Sequence, residues 1–326
     1  MASGRRCRER RYRLLRGQKN AITLSSTWRC ESGTTVRNGA IVKVNIKTPR
    51  QGEDTTPNVP LLRWAGSKKR QYQALRAQFP TGFGRYVEPF AGSAAFLFRM
   101  GCRNAIINDI NTDVCRFYED VREHTDVFLK FMAGSPRSRE CFYDTRAKFN
   151  AAPSGVSRSI YFYYLNRNCF NGIYRVSKSG KFNVPFAQDR VAPYLDNEAF
   201  RSATRQLGTT QIRNQDFSTF IATNVVAGDF VFLDPPYYVA GTRVFGEYTP
   251  VPFGPRDLER LARSLGDIDA AGARFLLTYP ATDESAALAR GWLWQSMTVR
   301  RSIAGDPSFR RNVQELLIRN YEPQDA

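Results

Sequence analysis

The feature that most constrains the fold is a short apolar run in the second half of the chain. Phe230-Val231-Phe232-Leu233 contains no polar residue and ends at Asp234-Pro235-Pro236-Tyr237. Strands that are buried on both faces of a parallel sheet carry such continuous runs, because helices cover both sides of the sheet. The run therefore predicts an α/β fold built on a parallel sheet.

Strand and helix patterns alternate on both sides of a central segment. Between residues 85 and 122, short connections join strand, turn, helix and strand, which predicts parallel βαβ pairing. The predicted strands are Arg85–Glu88, Asn104–Asn108, Ile212–Asn214, Phe230–Leu233, Arg274–Tyr279 and Val313–Tyr321. The predicted helices are one that ends near Met100, Asn111–Arg122, Arg158–Asn166 and Pro255–Ala271.

Residues 123–205 interrupt this alternation. From residue 166 to residue 190 the chain carries five Lys or Arg residues and one acid. Within it, Lys178-Ser179-Gly180 lies between β-prone flanks, which is typical of a hairpin turn. We predict a basic, mainly helical insert at 123–205 that contains a hairpin, and a sheet domain formed by 58–122 and 206–326.

The charge of the chain is strongly positive, with 48 Lys and Arg against 30 Asp and Glu, a net charge of +18. Such a balance is typical of a protein that binds a polyanion, most often nucleic acid. Residues 1–57 carry 13 of the basic residues and four acids, a net charge of +9. We predict a poorly ordered arm there with one short strand at Ala40–Ile46. The arm is either a phosphate-contacting element or a dispensable extension.

Several classes of protein are disfavoured by what the sequence lacks. No apolar run approaches the roughly 18 residues that a membrane helix needs, and the Arg-rich first thirty residues do not resemble a secretory signal. The six cysteines form no Cys-x-x-Cys pair, and the one histidine, His124, lies in a polar stretch. We therefore expect no membrane segment, no metal site and no disulfide framework.

Asp234-Pro235-Pro236-Tyr237 is the clearest chemical signal. Ligands of open α/β sheets bind at the carboxyl ends of the strands, and prolines hold the backbone rigid. An aspartate and a rigid carbonyl provide two acceptors for one amino group, and the tyrosine can stack on a flat ring. The motif predicts a grip on the exocyclic amine of a nucleobase. The alternative is a strand-ending turn with a buried tyrosine.

Two further motifs predict a nucleotide-like ligand. The turn Glu88-Pro89-Phe90-Ala91-Gly92-Ser93 is not the Gly-x-Gly-x-x-Gly of dinucleotide sites, so a nucleotide without a pyrophosphate fits it better. Asp109 ends the next strand 17 residues after Gly92, where an acid typically accepts hydrogen bonds from ribose hydroxyls. The segment Arg63-Trp64-Ala65-Gly66-Ser67-Lys68 either embraces an aromatic or carboxylate-bearing ligand, or is a core tryptophan beside a solvated lysine.

Together these motifs resemble the Dam-type DNA adenine-N6 methyltransferases of the D12 class, alpha group. The matching segments, in chain order, are Arg63–Lys68, Val87–Gly92, Asn108–Asn111, Asn166–Phe186, Asp234–Tyr237, Arg310–Asn312 and Glu315–Tyr321. They are collinear over about residues 59–321. The resemblance implies a Rossmann-like class I methyltransferase sheet, S-adenosylmethionine as methyl donor, and double-stranded DNA from which the target adenine is flipped.

The resemblance also implies roles for individual residues. Asp234, Pro235, Pro236 and Tyr237 would be catalytic: the aspartate and a proline carbonyl would accept the two amine N–H bonds, and the tyrosine would stack on the base. The implied donor-binding residues are Trp64, Lys68, Glu88, Phe90, Gly92, Asp109, Asp216 and Asp234. The implied DNA-binding residues are Arg167, Phe170, Asn171, Ile173, Arg175, Lys178, Lys181 and Pro185.

Within the insert, Arg175 would read a guanine edge and Ile173 would wedge between base steps, while Phe170 and Asn171 would hold the gap left by flipping. The relatives methylate adenine in GATC, which is our leading expectation. Gln188-Asp189 departs from the Arg-Tyr that the family often has there, so one expected phosphate contact is missing.

Three other functions compete with this hypothesis. They are an RNA or ribosomal-RNA amino-methyltransferase, a catalytically inactive DNA-binding homologue, and an unrelated nucleotide-binding oxidoreductase, against which the missing pyrophosphate loop argues. We expect a monomer, associated with the nucleoid in the cytoplasm of a bacterial or phage-infected cell. Restriction–modification, repair marking and phage protection remain open as biological roles.

Overall fold

The secondary structure is an alternation of strands and helices, seen in a computed structural model that describes residues 59–238, 253–302 and 310–322. The strands are β1 Arg85–Glu88, β2 Ala105–Asn108, β3 Thr210–Arg213, β4 Asp229–Leu233, β5 Arg274–Pro280, β6 Leu293–Ser302 and β7 Arg310–Arg319. The helices are α1 Tyr72–Arg76, α2 Ala95–Met100, α3 Thr112–Glu123, α4 Thr125–Gly134, α5 Arg139–Ala151, α6 Val156–Asn168, α7 Asn197–Leu207, α8 Phe217–Asn224, α9 Pro255–Ala270 and α10 Asp283–Leu288.

The strands form one seven-stranded sheet in the order β3-β2-β1-β4-β5-β7-β6. The first five are parallel, and β7 runs antiparallel to both of its neighbours. The chain builds outward from β1 in one direction, and then resumes on the other side at β4. Ligands of open α/β sheets bind at such a switch point. The α/β, Rossmann-like sheet that we predicted is confirmed.

Strand β4 shows why the apolar run forms the centre of the sheet. All five of its residues are buried. Phe230 and Phe232 point to one face, where Phe79 packs 4.6 and 5.6 Å from their ring centres. Val231 and Leu233 belong to a second apolar cluster, which includes Leu261 and Leu265 of α9 and Phe220 of α8. On the first face Phe96 of α2 also lies 4.6 Å from the Phe232 ring centre, so helices cover both faces, as the run predicted.

The segment at 123–205 is mainly helical and shares a core with the first face of the sheet. Phe117 of α3 stacks on Tyr163 of α6, with ring centres 5.4 Å apart and planes 5° apart. Both residues belong to the apolar cluster that contains Phe230 and Phe232. All described residues fall within one compact unit, and the division into domains at 123 and 205 stays a prediction.

The predicted hairpin turn is confirmed. Val176 and Phe182 form an antiparallel bridge, and the Ser177 amide donates to the carbonyl of Lys181 at 2.8 Å. Gly180 closes the turn with φ of +74°, a left-handed conformation that favours glycine. Of the other predictions, the strand at Ala40–Ile46 and the arm at 1–57 lie outside the described residues.

Candidate active site

The carboxyl ends of β1, β2 and β3 are tied together by one buried amide. The Asn108 side-chain nitrogen donates to the carbonyls of Pro89 and Gln215, each at 3.0 Å, and its oxygen accepts from the Gln215 amide at 2.9 Å. Because parallel strands end at the same edge of a sheet, this amide joins the turn after β1 to the turn after β3. It thereby fixes one wall of the predicted donor site.

The turn after β1 is held by Asp109 and by Trp64. The Gly92 amide donates to Asp109 Oδ2 at 2.8 Å, and the Asn111 amide donates to Oδ1 at 2.9 Å. Burial raises the pKa of Asp109, and these backbone donors act in the opposite direction. Gly92 has φ of +46°, and a Cβ there would lie 2.6 Å from Cδ1 of Trp64. A side chain at position 92 would therefore displace the indole.

Trp64 connects this turn to the inserted segment. Its ring stacks on Tyr174, with centres 5.8 Å apart and planes 22° apart. The Tyr174 hydroxyl donates to Asp113 Oδ2 at 2.8 Å, and Arg158 pairs with the same carboxylate at 2.6 and 3.0 Å. The indole is thus held between the Gly92 turn and a residue that precedes the hairpin by two positions.

Lys68 is the centre of a buried charged cluster. Its side chain is 4% exposed, and its Nζ lies 3.0 Å from Asp234 Oδ1 and 3.4 Å from Glu315 Oε2. It also donates to the Tyr237 hydroxyl. Burial alone would lower the pKa of Lys68, but Asp234, the Tyr237 hydroxyl and Glu315, in decreasing order of effect, together outweigh burial and raise it. The alternative that the sequence left open, a Lys68 exposed to solvent, is therefore wrong.

Asp234, the first residue after β4, has two unlike carboxylate oxygens. Oδ1 lies 3.0 Å from the Lys68 ammonium, and it accepts from Tyr237 at 3.0 Å and from Thr278 Oγ1 at 2.9 Å. Oδ2 has no hydrogen-bond partner among the described residues. The side chain remains 18% exposed. Burial raises the pKa of Asp234, and the Lys68 charge opposes this effect. The arrangement leaves one acceptor oxygen at the carboxyl end of the central strand.

The backbone after Asp234 is held from β5. Tyr279 accepts from the Tyr238 amide at 2.7 Å and donates to the Tyr238 carbonyl at 3.1 Å. The ring of Tyr237 lies edge-on to Tyr279, with centres 5.3 Å apart. Pro235 is buried, and Tyr237 is half-buried. Base stacking by Tyr237 stays a prediction.

The remaining predicted donor-site residues lie at the same edge of the sheet. Glu88, the last residue of β1, is 4% exposed, and its Oε2 has no partner within the part of the chain described. Burial raises its pKa well above the usual range of a carboxyl. Phe90 packs on Phe217 at 5.2 Å. Asp216 caps α8 by accepting from the Ser218 amide at 3.0 Å, and it pairs with Arg260.

The hairpin brings most of the predicted DNA-binding residues to one part of the surface. Lys178, Lys181 and Pro185 are exposed, and Arg175 donates to Asn183 Oδ1 at 2.8 Å. Half-buried residues at its base are Phe170, Asn171 and Ile173.

Arg167 does not share this surface. It is 6% exposed and donates to the carbonyls of Leu61 and Pro193. Its guanidinium is used inside the protein, so we correct the prediction that it contacts DNA.

The sequence did not predict two residues that contact Lys68 or Asp234. Glu315 lies in β7 and Thr278 in β5, far along the chain from Lys68 and Asp234. Thr278 gives no distinctive signal in sequence. Glu315 does, because an acid directly before the apolar run Leu316-Leu317-Ile318 within a predicted strand indicates a carboxylate that is either at a sheet edge or paired.

No group of three or more metal-ligating side chains occurs in the described ranges. Among the helices seen there, none combines the length and the apolar character that crossing a membrane requires.

Comparison with known proteins identifies the family. The model of the D12 class N6 adenine-specific DNA methyltransferases matches residues 64–303. Type II methyltransferase M.MjaIII of Methanocaldococcus jannaschii is 29% identical over 80% of this chain and 99% of its own length. A DNA adenine methylase of Serratia marcescens is 28% identical over 80% and 97%, and one of Haemophilus influenzae is 28% identical over 79% and 92%.

The matched region contains nearly all of the segment Arg63–Lys68, here called the Trp64 loop. It also contains the Gly92 turn, the hairpin and Asp234-Pro235-Pro236-Tyr237. The function inferred from sequence, a DNA adenine-N6 methyltransferase, is confirmed, and the competing RNA-directed, inactive and oxidoreductase hypotheses are set aside. The chain belongs to the D12 class of N6 adenine-specific DNA methyltransferases.

Proposed function

We propose that this enzyme transfers a methyl group from S-adenosylmethionine to N6 of an adenine that is flipped out of double-stranded DNA. The observation that carries the proposal is the asymmetry of the Asp234 carboxylate. Three donors engage Oδ1, and Oδ2 remains as an acceptor beside the rigid prolines. The amino group of a base that is paired within a duplex cannot reach Asp234 Oδ2 and the proline carbonyl, so the base has to leave the stack.

The residues at the edge of the sheet suit the proposed donor. Glu88 Oε2 is a buried acceptor, and the donor offers ribose hydroxyls and an ammonium group as hydrogen-bond donors. The Gly92 turn permits close approach of a ligand to the backbone, and Trp64 and Phe90 supply aromatic walls. When bound, S-adenosylmethionine supplies a methyl group on a sulfonium sulfur; the carbon–sulfur bond breaks with its electron pair returning to sulfur, and a carbon–nitrogen bond forms.

The protein contributes chiefly position and charge. Asp234 Oδ2 accepts one amine N–H and the Pro235 carbonyl accepts the other, which directs the nitrogen lone pair at the methyl carbon. After transfer the nitrogen carries one proton too many, and Asp234 Oδ2 takes that proton and passes it to solvent. Stacking of Tyr237 on the flipped base adds about 1–3 kcal/mol of binding.

The hairpin is proposed as the DNA-reading element, with GATC as the leading target. Arg175 would donate to a guanine edge in the major groove. Ile173, Phe170 and Asn171 would fill the space that the flipped base leaves. Lys178 and Lys181, which are exposed at its tip, would contact phosphates and would supply affinity without sequence preference.

The test uses purified enzyme and a labelled methyl donor. Duplex oligonucleotides with and without GATC are compared, together with a duplex in which each adenine of the site is replaced. We expect label on one adenine in each strand of the GATC duplex, because the site is self-complementary, and no label where that adenine is replaced. We expect Asp234→Ala to abolish transfer while duplex affinity stays within about threefold, because the removed group lies outside the phosphate-contacting hairpin. Near-native turnover of that variant would contradict the proposed role.

A further inference from the structure

Glu315 is a carboxylate buried in the sheet. It is 1% exposed and pairs through its backbone with Pro280 of β5 and Met297 of β6. Burial of a carboxylate is costly unless an opposite charge compensates it. Here Lys68 lies 3.4 Å from its Oε2. An apolar residue at this position in a sheet would serve packing at least as well, so the charge calls for an explanation.

Lys68 therefore stands between two carboxylates. One ammonium with Asp234 and Glu315 carries a net charge of −1, whereas Lys68 with Asp234 alone would be neutral. The Tyr237 hydroxyl bridges Lys68 and Asp234, because it accepts from the Lys68 ammonium and donates to Asp234 Oδ1. Glu315 thus changes both the charge of the cluster and the position of the ammonium within it.

Methyl transfer from a sulfonium to an amine moves a positive charge from sulfur to nitrogen. A negative charge that is already fixed near this path stabilises both the bound cation and the developing one, and does so more strongly in a site of low polarity. A neutral cluster would lack this attraction. A misplaced ammonium would also compete with the amine for the second oxygen of Asp234.

We propose that Glu315 is a positioning residue for methyl transfer: it holds the Lys68 ammonium on Oδ1 of Asp234 and gives the cluster a net negative charge toward a cationic methyl donor. This inference rests on the proposed function. It assigns to β7 a part in the chemistry, in addition to its place in the sheet.

The first test measures binding without DNA and without turnover. Calorimetry compares S-adenosylmethionine, a sulfonium cation, with S-adenosylhomocysteine, the uncharged thioether. We expect Glu315→Gln to weaken the cation's binding about threefold to tenfold more than that of the thioether. Glu198→Gln removes an equal charge from the exposed face of α7 and should change neither affinity. Equal weakening of both ligands by Glu315→Gln would overturn the charge role.

The second test separates charge from position. Glu315→Asp keeps the charge and shortens its reach, so we expect native discrimination between the two ligands but a methyl-transfer rate lowered on the order of tenfold. Glu315→Gln should lower that rate about tenfold to a hundredfold with KM for DNA unchanged. A native rate in both variants would overturn the positioning role. Should the glutamine variant fail to fold, Glu315→Asp decides: lost discrimination with the charge retained would overturn the charge role, and a native methyl-transfer rate would overturn the positioning role.

The outcomes distinguish this inference from the function on which it rests. Wild-type enzyme that neither binds S-adenosylmethionine nor methylates DNA would refute the proposed function itself. Wild-type enzyme that does both, with glutamine and aspartate variants that match it, would refute the role of Glu315 alone.

Discussion

Glu88 is a buried carboxyl group at the carboxyl end of β1, and its protonation should affect the stability of the protein. Burial raises the pKa of Glu88 well above its usual value, so the folded protein holds this proton more tightly than the unfolded chain. A raised folded pKa contributes stability that is fully present below the unfolded pKa of about 4.3 and is lost as pH rises through the folded pKa.

Glu88→Gln should remove this contribution. As pH rises from about 5 to about 8, we expect the wild type to lose thermal stability relative to the variant, because only the wild type must ionise a buried acid. The measurement is the melting temperature of both proteins across that range, without donor or DNA. Parallel curves would show that Glu88 ionises without penalty in the folded state.

Arg175 allows a prediction about specificity. If it reads a guanine, Arg175→Ala should cost roughly 1–3 kcal/mol on the preferred sequence and relax the choice of base at one position. Lys178→Ala is the matched control at the tip of the same hairpin, and it should weaken all sequences alike. Methylation rates on a panel of single-base variants of the site provide the comparison. A uniform loss for Arg175→Ala would make that residue a phosphate contact.

The position of a site residue could be predicted from sequence where the residue belongs to a distinctive motif. Asp234 follows a buried strand and precedes two prolines, so its place at the sheet edge could be predicted. The family resemblance implies that Arg167 contacts DNA, but its guanidinium donates to the carbonyls of Leu61 and Pro193 inside the protein. Whether an arginine faces solvent depends on tertiary contacts that its neighbours in sequence do not reveal.

At the level of elements, the hairpin segment is anchored on the Trp64 loop. The Arg63 amide donates to Asn166 Oδ1 at 2.9 Å, and the Asn166 side chain donates back to the Arg63 carbonyl at 2.7 Å. Gly172 has φ of +65°, and a Cβ there would lie 2.4 Å from Cβ of Arg63. The hairpin segment therefore packs closely against Arg63, the residue directly before Trp64.

Two glycine substitutions measure that contact. Gly180→Ala, at φ of +74° with no described atom within 4 Å of the added Cβ, should cost only the left-handed conformation, about 1–2 kcal/mol. Gly172→Ala should cost this amount plus the clash with Arg63, a further 1–3 kcal/mol or so, and should also weaken donor binding. Denaturant unfolding and donor calorimetry test both variants. Equal losses would mean that the contact with Arg63 gives way freely.

The strands differ in how visible they are in sequence. β2, β4 and β5 lie in the middle of the sheet and carry apolar runs, so their predicted ends agree with the structure to within one residue. β6, Leu293–Ser302, was missed because it lies at the edge of the sheet, where the polar residues Gln295, Ser296 and Thr298 interrupt the apolar pattern. A strand that is buried on both faces has a continuous apolar run in the sequence, and an edge strand lacks such a run.

For the molecule as a whole, residues 1–57 allow a test of general DNA affinity. Every motif of the site begins at or after Arg63, so we expect a protein without residues 1–57 to keep its target and its rate. The removed segment carries a net charge of +9, and each duplex phosphate that a protein neutralises adds about 0.9 to the salt slope of binding. Full-length protein should show the steeper slope in affinity measured against salt on one duplex. Identical slopes would make the segment a passive extension.

The site as a whole was predicted only in part, because its pieces come from distant segments. The Trp64 loop, the Gly92 turn and Asp234 were linked by their order along the chain. Thr278 joins them through the parallel pairing of β5 with β4, and Glu315 joins them through the antiparallel placement of β7 beside β5. No local sequence pattern predicts either pairing. The sequence therefore predicts the polar side chains that follow the ends of the strands. The structure adds Thr278 and Glu315, which lie within the neighbouring strands.

This protein methylates adenine N6 in DNA, and we propose that it does so through Asp234. The most direct test is the content of N6-methyladenine, measured by mass spectrometry, in DNA from cells that lack other adenine methylation and express either wild-type protein or Asp234→Ala at equal levels. We expect N6-methyladenine, confined to one short sequence context, with the wild type and none above background with the variant. Unmethylated DNA with folded wild-type protein, or equal methylation by both proteins, would contradict this expectation.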